Sequence, residues 1–379
     1  MYILIVSRGY PSDKYKMHGI FEFDQAKALI KAGHKVIYSV VDMRSVRRTR
    51  KWGFESLEKE GVKIEAINIP CGRIPTDWLN KISIIAFKHL YKKINSKYGQ
   101  PDIIHAHFIN SGYWVAKSFN DSKIPLILTE HFSGINQKQI SPKLLKIGSY
   151  TYPRMNKVIA VSSHLAKNIK EKFRIESVII PNIVDTNNFS YKASMKGNRE
   201  NFNFVSTGSL VPNKRMDLLI KAFHKTFHKN KKVNLYIFGE GFERRKLEKL
   251  ISELGMKEQI FLKGLVDRKA IAKTMNESDC FVLASQLETF GVACIEAMAT
   301  GLPIIATKCG GPEDFITNLN GLLVPVDKVN DLANALDYMY NNISCYDNEL
   351  ISKLSRDKFS SSSISRRLTE VYKEIIANL

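Results

Sequence analysis

The chain has 379 residues, 44% hydrophobic and 25% charged, proportions of a soluble globular protein with room for two α/β domains. No apolar run reaches membrane-spanning length, and five scattered cysteines without a C-x-x-C argue against disulfide or zinc frameworks, so a reducing cytoplasm is the expected compartment. The formal net charge is +20, and residues 1–190 hold 30 Lys+Arg against 15 Asp+Glu, a skew toward an anionic partner (membrane surface, nucleic acid or phosphorylated acceptor) unless it only keeps the protein soluble.

The first half alternates short apolar runs with helical stretches. Residues 2–7 read as a strand, too short and without the basic leader of a signal peptide. Met17-His18-Gly19-Ile20-Phe21 leads into a helix over 21–32 that ends at Gly33, and a small residue before a helix lets a backbone amide approach a ligand. Strands follow at 35–41 and 64–69. Between them Arg44-Ser-Val-Arg47-Arg48-Thr-Arg-Lys-Trp52 gathers five cations beside a tryptophan. Residues 78–98 form an amphipathic helix whose lysines either lie on an anionic bilayer or are solvated while the helix packs on its sheet. Strands at 103–106, 126–129 and 157–161 complete the pattern of a parallel, doubly wound sheet.

Asp102-Ile-Ile-His105-Ala-His107-Phe108 places two histidines on one face at the end of a strand, where α/β sites gather. A metal reading would need Glu130-His131 as further ligands, and no other His/Cys/Asp cluster closes such a site; plain polar capping of the strand is the structural alternative.

Residues 187–201 are polar and fit a linker, after which a second series begins, with strands at 203–207, 234–238, 260–263, 280–284 and 303–307 and helices at 218–227 and 244–254. Gly208-Ser209-Leu-Val-Pro-Asn-Lys214-Arg215 is a glycine turn leading to a helix N-terminus, an anion-binding arrangement to which Lys214 and Arg215 add charge; the Walker spacing is absent. Gly239-Glu240-Gly241 lacks the third glycine of a dinucleotide fingerprint, since Arg244 stands there. Glu288-Thr-Phe290-Gly291-Val292-Ala-Cys-Ile-Glu296 lies between two buried strands. If residues 290–300 are helix, the carboxylates stand about 12 Å apart along its axis at roughly 1.5 Å per residue. A nucleotide-sugar fits that layout, with hydroxyls at both ends and an anionic centre near the helix N-terminus; two solvated glutamates are the alternative. Gly310-Gly311-Pro312-Glu313 follows the next strand and reads as a turn.

The Glu288-to-Glu296 block, with its F-G and trailing Glu296-Ala-Met-Ala-Thr-Gly-Leu-Pro303, resembles the E-x-x-x-x-x-x-x-E signature of retaining glycosyltransferase family 4. Resemblance spans nearly the whole chain. It implies a GT-B fold, two Rossmann-like doubly wound domains facing across a cleft. An acceptor-side domain is expected over 1–185, with a last helix at 365–379 packing back on it, and a nucleotide-sugar donor domain over 186–364.

The implied reaction moves a sugar, with retention, from a UDP- or GDP-sugar to a glycan or lipid-linked acceptor in cell-envelope or exopolysaccharide synthesis. The implied place is the cytoplasm, peripheral on the inner face of the membrane. The 208–215 turn resembles the family's G-R-L-x-x-x-K-G: Lys214 matches, while Ser209 replaces the arginine and Arg215 the glycine, so Arg215 is the candidate second cation on the diphosphate. By the same resemblance Glu288 holds the donor sugar, Glu296 the ribose, and His107 orients the reacting sugar, with His131 beside it. Gly19, Gly208, Gly264, Phe290, Gly291 and Val292 border the donor, and Glu313 is a minor candidate. With no D-x-D in the chain, no metal or other cofactor is expected, and no nucleic acid. A sugar-nucleotide hydrolase or epimerase of the same fold, a basic nucleic-acid-binding protein and a silent scaffold are the rival readings.

Overall fold

A computed structural model describes residues 1–12, 15, 17–45, 51–119, 123–195 and 200–378. It divides into two compact units, Met1–Ile183 with Ser361–Leu379, and Val184–Ser360.

In the first unit the strands are β1 (Tyr2–Ser7), β2 (Lys35–Ser45), β3 (Gly53–Lys59), β4 (Val62–Cys71), β5 (Ile103–His107), β6 (Leu126–Glu130), β7 (Lys157–Ala160) and β8 (Val178–Ile179). Helices α1 (Ile20–Lys31), α2 (Thr76–Tyr98), α3 (Phe108–Ser118), α4 (Pro142–Thr151) and α5 (Ser163–Phe173) connect them. The sheet order is β3-β4-β2-β1-β5-β6-β7-β8. Every pairing is parallel except β3 on β4. β1 is buried along its whole length, as a central parallel strand covered on both faces must be.

The second unit carries β9 (Phe202–Thr207), β10 (Val233–Phe238), β11 (Ile260–Gly264), β12 (Cys280–Leu283), β13 (Ile304–Thr307) and β14 (Gly321–Val324). Its helices are α6 (Met216–Phe227), α7 (Arg244–Glu253), α8 (Arg268–Asn276), α9 (Val292–Ala299), α10 (Val329–Asn342) and α11 (Asn348–Phe359). All six strands are parallel, in the order β11-β10-β9-β12-β13-β14. Residues 187–195 belong to this unit rather than to a bridge: Phe189 is fully buried and Asn276 binds Lys192 N at 2.9 Å.

The final helix, α12 (Ser361–Ala377), belongs to the first unit. Its apolar stripe of Ile364, Leu368, Val371, Tyr372 and Ile375 joins the core of Ile3, Phe23 and Tyr38. His34 Nε2 and Thr369 Oγ1, 2.9 Å apart, add a polar tie.

Each sheet has one point where chain order reverses, between β1 and β5 in the first unit and between β9 and β12 in the second. Loops leaving the carboxyl ends of those paired strands part to opposite faces, and the crevice they leave is where open α/β sheets bind ligands.

Candidate functional site

In the second unit the loop after β9 and the loop after β12 are tied together at the reversal point. Asn213 Nδ2 donates to Leu287 O at 2.9 Å, and Gln286 N donates to Asn213 O at 2.8 Å. This seam lays Lys214 against Glu288, Nζ to Oε1 2.5 Å, and Ser285 Oγ donates to the same oxygen at 2.7 Å. An ammonium has three N–H donors, so the Glu288 bond leaves capacity for phosphate oxygens. Both side chains are mostly buried, 24% and 13% exposed, where charge is screened less than at the surface.

Glu288 sits on extended backbone. Its N–H donates to Cys309 O at 2.8 Å, its carbonyl accepts from Gly311 N at 3.2 Å, and it bridges to Gly310 in parallel. α9 starts only at Val292, after Gly291 at φ 93°. The axial rise therefore counts from Val292, and the helical spacing expected between the two carboxylates does not hold. Gly291 is required there: its left-handed φ excludes most side chains, and a Cβ would stand 3.0 Å from Pro312 Cγ.

Glu296, on the second turn of α9, has a partner that the sequence reading did not anticipate. Arg268 Nη2 donates to Glu296 Oε1 at 2.7 Å, and Arg268 Nη1 lies 3.7 Å from Asp185 Oδ2. Arg268 is the first residue of α8, whose cap Asp267 accepts from Ala270 N at 2.8 Å. An Asp before a helical run is a readable start signal, but nothing local announces a partner 28 residues away.

Several expected site residues also have structural partners. Arg215 pairs with Asp217 (Nε to Oδ1 3.1 Å) and with Asp327, contacts the sequence reading did not anticipate. Burial works against ionising Asp217, but the Arg215 hydrogen bonds and charge outweigh it and pull its pKa down. The Phe290 ring is 1% exposed and packs on Phe315 and Phe359, with centroids 5.4 and 5.6 Å away; burial of this kind is worth roughly 1.5–3 kcal/mol, a core role. Glu313 Oε1 accepts from Gly310 N at 2.9 Å and caps the short turn it belongs to. Gly239 and Gly241 let their loop touch the 208–210 turn, where a Cβ would meet Gly208 O at 1.9 Å or Leu210 O at 2.1 Å. Gly264, at φ 73°, accepts from Gly239 N at 2.9 Å. Gly208 is half-buried under Lys214, Ser209 is exposed, and Val292 is half-buried on the first turn of α9.

In the first unit, Gly19 caps α1 at φ 69° with its Cα against Gly9 O, where a Cβ would stand 2.2 Å away. Beneath this turn, His105, His107 and His131 stack in a row, with centroids 4.7 and 5.3 Å apart and planes inclined by 18° and 15°. His107 is the middle ring of this row. It has no exposed surface, and both ring nitrogens face protein partners: Nε2 with Gln25 Nε2 at 3.2 Å and Nδ1 with His131 Nε2 at 3.0 Å. His131 Nδ1 is also buried; it makes no hydrogen bond of good geometry, and the Asn182 side chain lies close to the ring. Burial, then the nearby Arg8 charge, pushes the His131 pKa down to about 3, with the Asn182 side chain pulling the other way. Burial, then His131, holds His105 at about 3; burial, with His105 and His131, puts His107 well below its ordinary value.

The metal alternative loses its third ligand. Glu130 Oε1 accepts from His131 N and Phe132 N at 3.0 and 2.9 Å, and Oε2 accepts from Tyr152 at 2.8 Å. Among the described residues no group of three His, Cys, Asp or Glu is placed to hold a metal ion. Arg47 and Arg48 lie outside the described residues. No helix of the described residues is long and apolar enough to cross a membrane.

Family models match both units: "Glycosyltransferase Family 4" over residues 23–188 and "Glycosyl transferases group 1" over 189–353. An uncharacterized glycosyltransferase of Methanocaldococcus jannaschii is 30% identical over 64% of this chain and 66% of its own length. A poly(ribitol-phosphate) alpha-N-acetylglucosaminyltransferase of Staphylococcus aureus is 28% identical over 59% of this chain and 44% of its own. The chain thus spans less than two thirds of these curated relatives. Among solved structures, a sucrose-phosphate synthase from Thermosynechococcus elongatus superimposes with TM-score 0.84 at 20% identity, covering 100% of both chains. An Anabaena protein in complex with UDP and glucose gives 0.77 at 18%, covering 99% and 100%.

Proposed function

For a chain that belongs to the glycosyltransferases of the GT-B fold, we propose that it moves a sugar from a nucleotide-diphosphate donor, a UDP- or GDP-sugar, to a glycan or lipid-linked acceptor, with retention. The observation that carries this reading is the Lys214–Glu288 pair at the reversal point of the second sheet. Lys214 is the diphosphate cation, a donor aimed where charge develops on the leaving group. Glu288, held by Ser285, accepts from hydroxyls of the donor sugar, and Glu296, oriented by Arg268, accepts from the ribose. In the first unit, His131 is the donor offered to a sugar oxygen, and His107 orients its ring. Positive charge comes from the side chain and the amides around Gly291, so no metal or other cofactor is assigned.

The acceptor side belongs to the first unit, and its surface supports an anionic lipid bilayer as the place of work. Trp78 and Ile85 stand 61% and 58% exposed on α2, on a face that also carries the exposed Lys81, Lys88 and Lys92. Apolar anchors among lysines suit an anionic interface, which supports the reading of peripheral attachment to the inner face of the cytoplasmic membrane.

The test measures nucleotide release from UDP- and GDP-sugars with and without glycan or lipid-linked acceptors. Release that depends on acceptor, with sugar appearing on it, is expected. Release at the same rate without acceptor would instead make the chain a sugar-nucleotide hydrolase, and epimer formation an epimerase.

A further inference from the structure

The row of three histidines carries a directional pattern that begins outside it. Gln25, on α1 and 7% exposed, points its amide nitrogen at two rings, 3.3 Å from His105 Nδ1 and 3.2 Å from His107 Nε2. With the amide assigned in this orientation its nitrogen donates, so both nitrogens it faces are the bare ones of neutral imidazoles. His105 then carries its proton on Nε2, which donates to Thr129 Oγ1 at 2.7 Å, while its Nδ1 also accepts from the Tyr372 hydroxyl at 2.6 Å. His107 carries its proton on Nδ1 and donates to His131 Nε2 at 3.0 Å. That nitrogen of His131 is therefore bare, and its proton sits on Nδ1, a buried atom that makes no well-formed hydrogen bond and has the Asn182 side chain nearby. Burial keeps all three rings neutral, as the pattern requires.

We propose that Gln25 is a positioning residue of the transfer reaction: its amide, acting through His107, sets the tautomer of His131 so that Nδ1 holds a proton to donate to the bound sugar. The inference rests on the reading that His131 meets the sugar. The choice of tautomer does not, and it is measurable without activity. The tautomer of the group that meets the ligand is commonly set by the hydrogen bond on its other ring nitrogen.

The decisive variant is Gln25→Glu, of nearly the same shape but able only to accept when ionised. It requires protons on His105 Nδ1 and His107 Nε2, which strips His107 Nδ1 and obliges His131 to donate from Nε2. Nitrogen-15 spectra of histidine-labelled protein distinguish the two tautomers directly. Wild type is expected to show His131 protonated on Nδ1 and Gln25→Glu on Nε2, with transfer kcat reduced by about 100-fold, the size of a lost transition-state donor, and donor KM within about twofold. Gln25→Leu removes the amide without adding charge and should leave His131 a tautomer mixture, which guards against a folding defect specific to the carboxylate. Wild-type His131 protonated on Nε2, or an unchanged tautomer in both variants, overturns the proposal. The predicted tautomers in a protein that transfers no sugar would leave the relay standing and remove the reading of function.

Discussion

Lys214 and Glu288 are 74 positions apart and meet because two loops at one reversal point share the Asn213 hydrogen bonds. Both residues were legible through a family resemblance; their mutual contact was not, because each faces outward from a separate stretch of sequence until the sheet orders them. Arg268 shows the same limit, as a helix-start arginine that becomes the orienting partner of Glu296 only in three dimensions. Arg268→Ala should raise the donor KM about tenfold, an increment of about 1.4 kcal/mol, with kcat changed far less. Arg268→Lys should rescue poorly, because a point charge does not reproduce the guanidinium fork held between Glu296 and Asp185. Steady-state kinetics with varied donor checks this, and an unchanged KM would remove Glu296 from the ribose. Arg215 and Phe290 have partners that residue-level reading did not foresee. Charge, motif position and Asp217 two residues on are visible in sequence, whereas the Asp327 carboxylate and the aromatic cluster of Phe315 and Phe359 come from elsewhere in the chain.

The α2 helix illustrates what amphipathicity reports and what it leaves open. Its buried face, Ala86, Phe87, Leu90 and Ile94, follows the helical period, and that packing half of the reading holds. The opposite face is the one assigned to lipid. Replacing Trp78 and Ile85 with Asp together should reduce co-sedimentation with phosphatidylglycerol-containing vesicles at low salt by about tenfold or more, and leave thermal stability close to wild type because both side chains are exposed. Equal sedimentation of the variant, or none of the wild type, would detach α2 from the membrane. Among the other elements, the long parallel strands were readable from their apolar runs. β3 was not, because Phe-Glu-Ser-Leu-Glu-Lys alternates around a half-exposed edge. Its signal was the hairpin turn: Glu60 and Gly61 both take positive φ, the form that two-residue hairpin loops favour, and an X-Gly pair between strands announces it.

At the scale of the molecule, two doubly wound sheets each bring conspicuous motifs to their one reversal point, Gly19 and the histidine row in the first unit and Lys214 with Glu288 in the second. The alternation that marks a doubly wound sheet was legible in most of the parallel strands and in several of the helices, since periodicity is local. The return of α12 to the first unit depends on long-range packing of Tyr372 and Leu368 on the core of β1 and α1, which periodicity does not encode. The central claim is that the second unit binds a nucleoside diphosphate through Lys214. Calorimetric titration of UDP and GDP into wild type and Lys214→Ala tests it most directly, with thermal unfolding of the free proteins as the control. Wild type should bind one of the two nucleotides and be stabilised by about 2.7 kcal/mol at a hundredfold excess over Kd. Lys214→Ala should bind at least about tenfold more weakly while unfolding at nearly the same temperature. Binding of neither nucleotide by wild type, or equal affinity in the variant, would contradict the account.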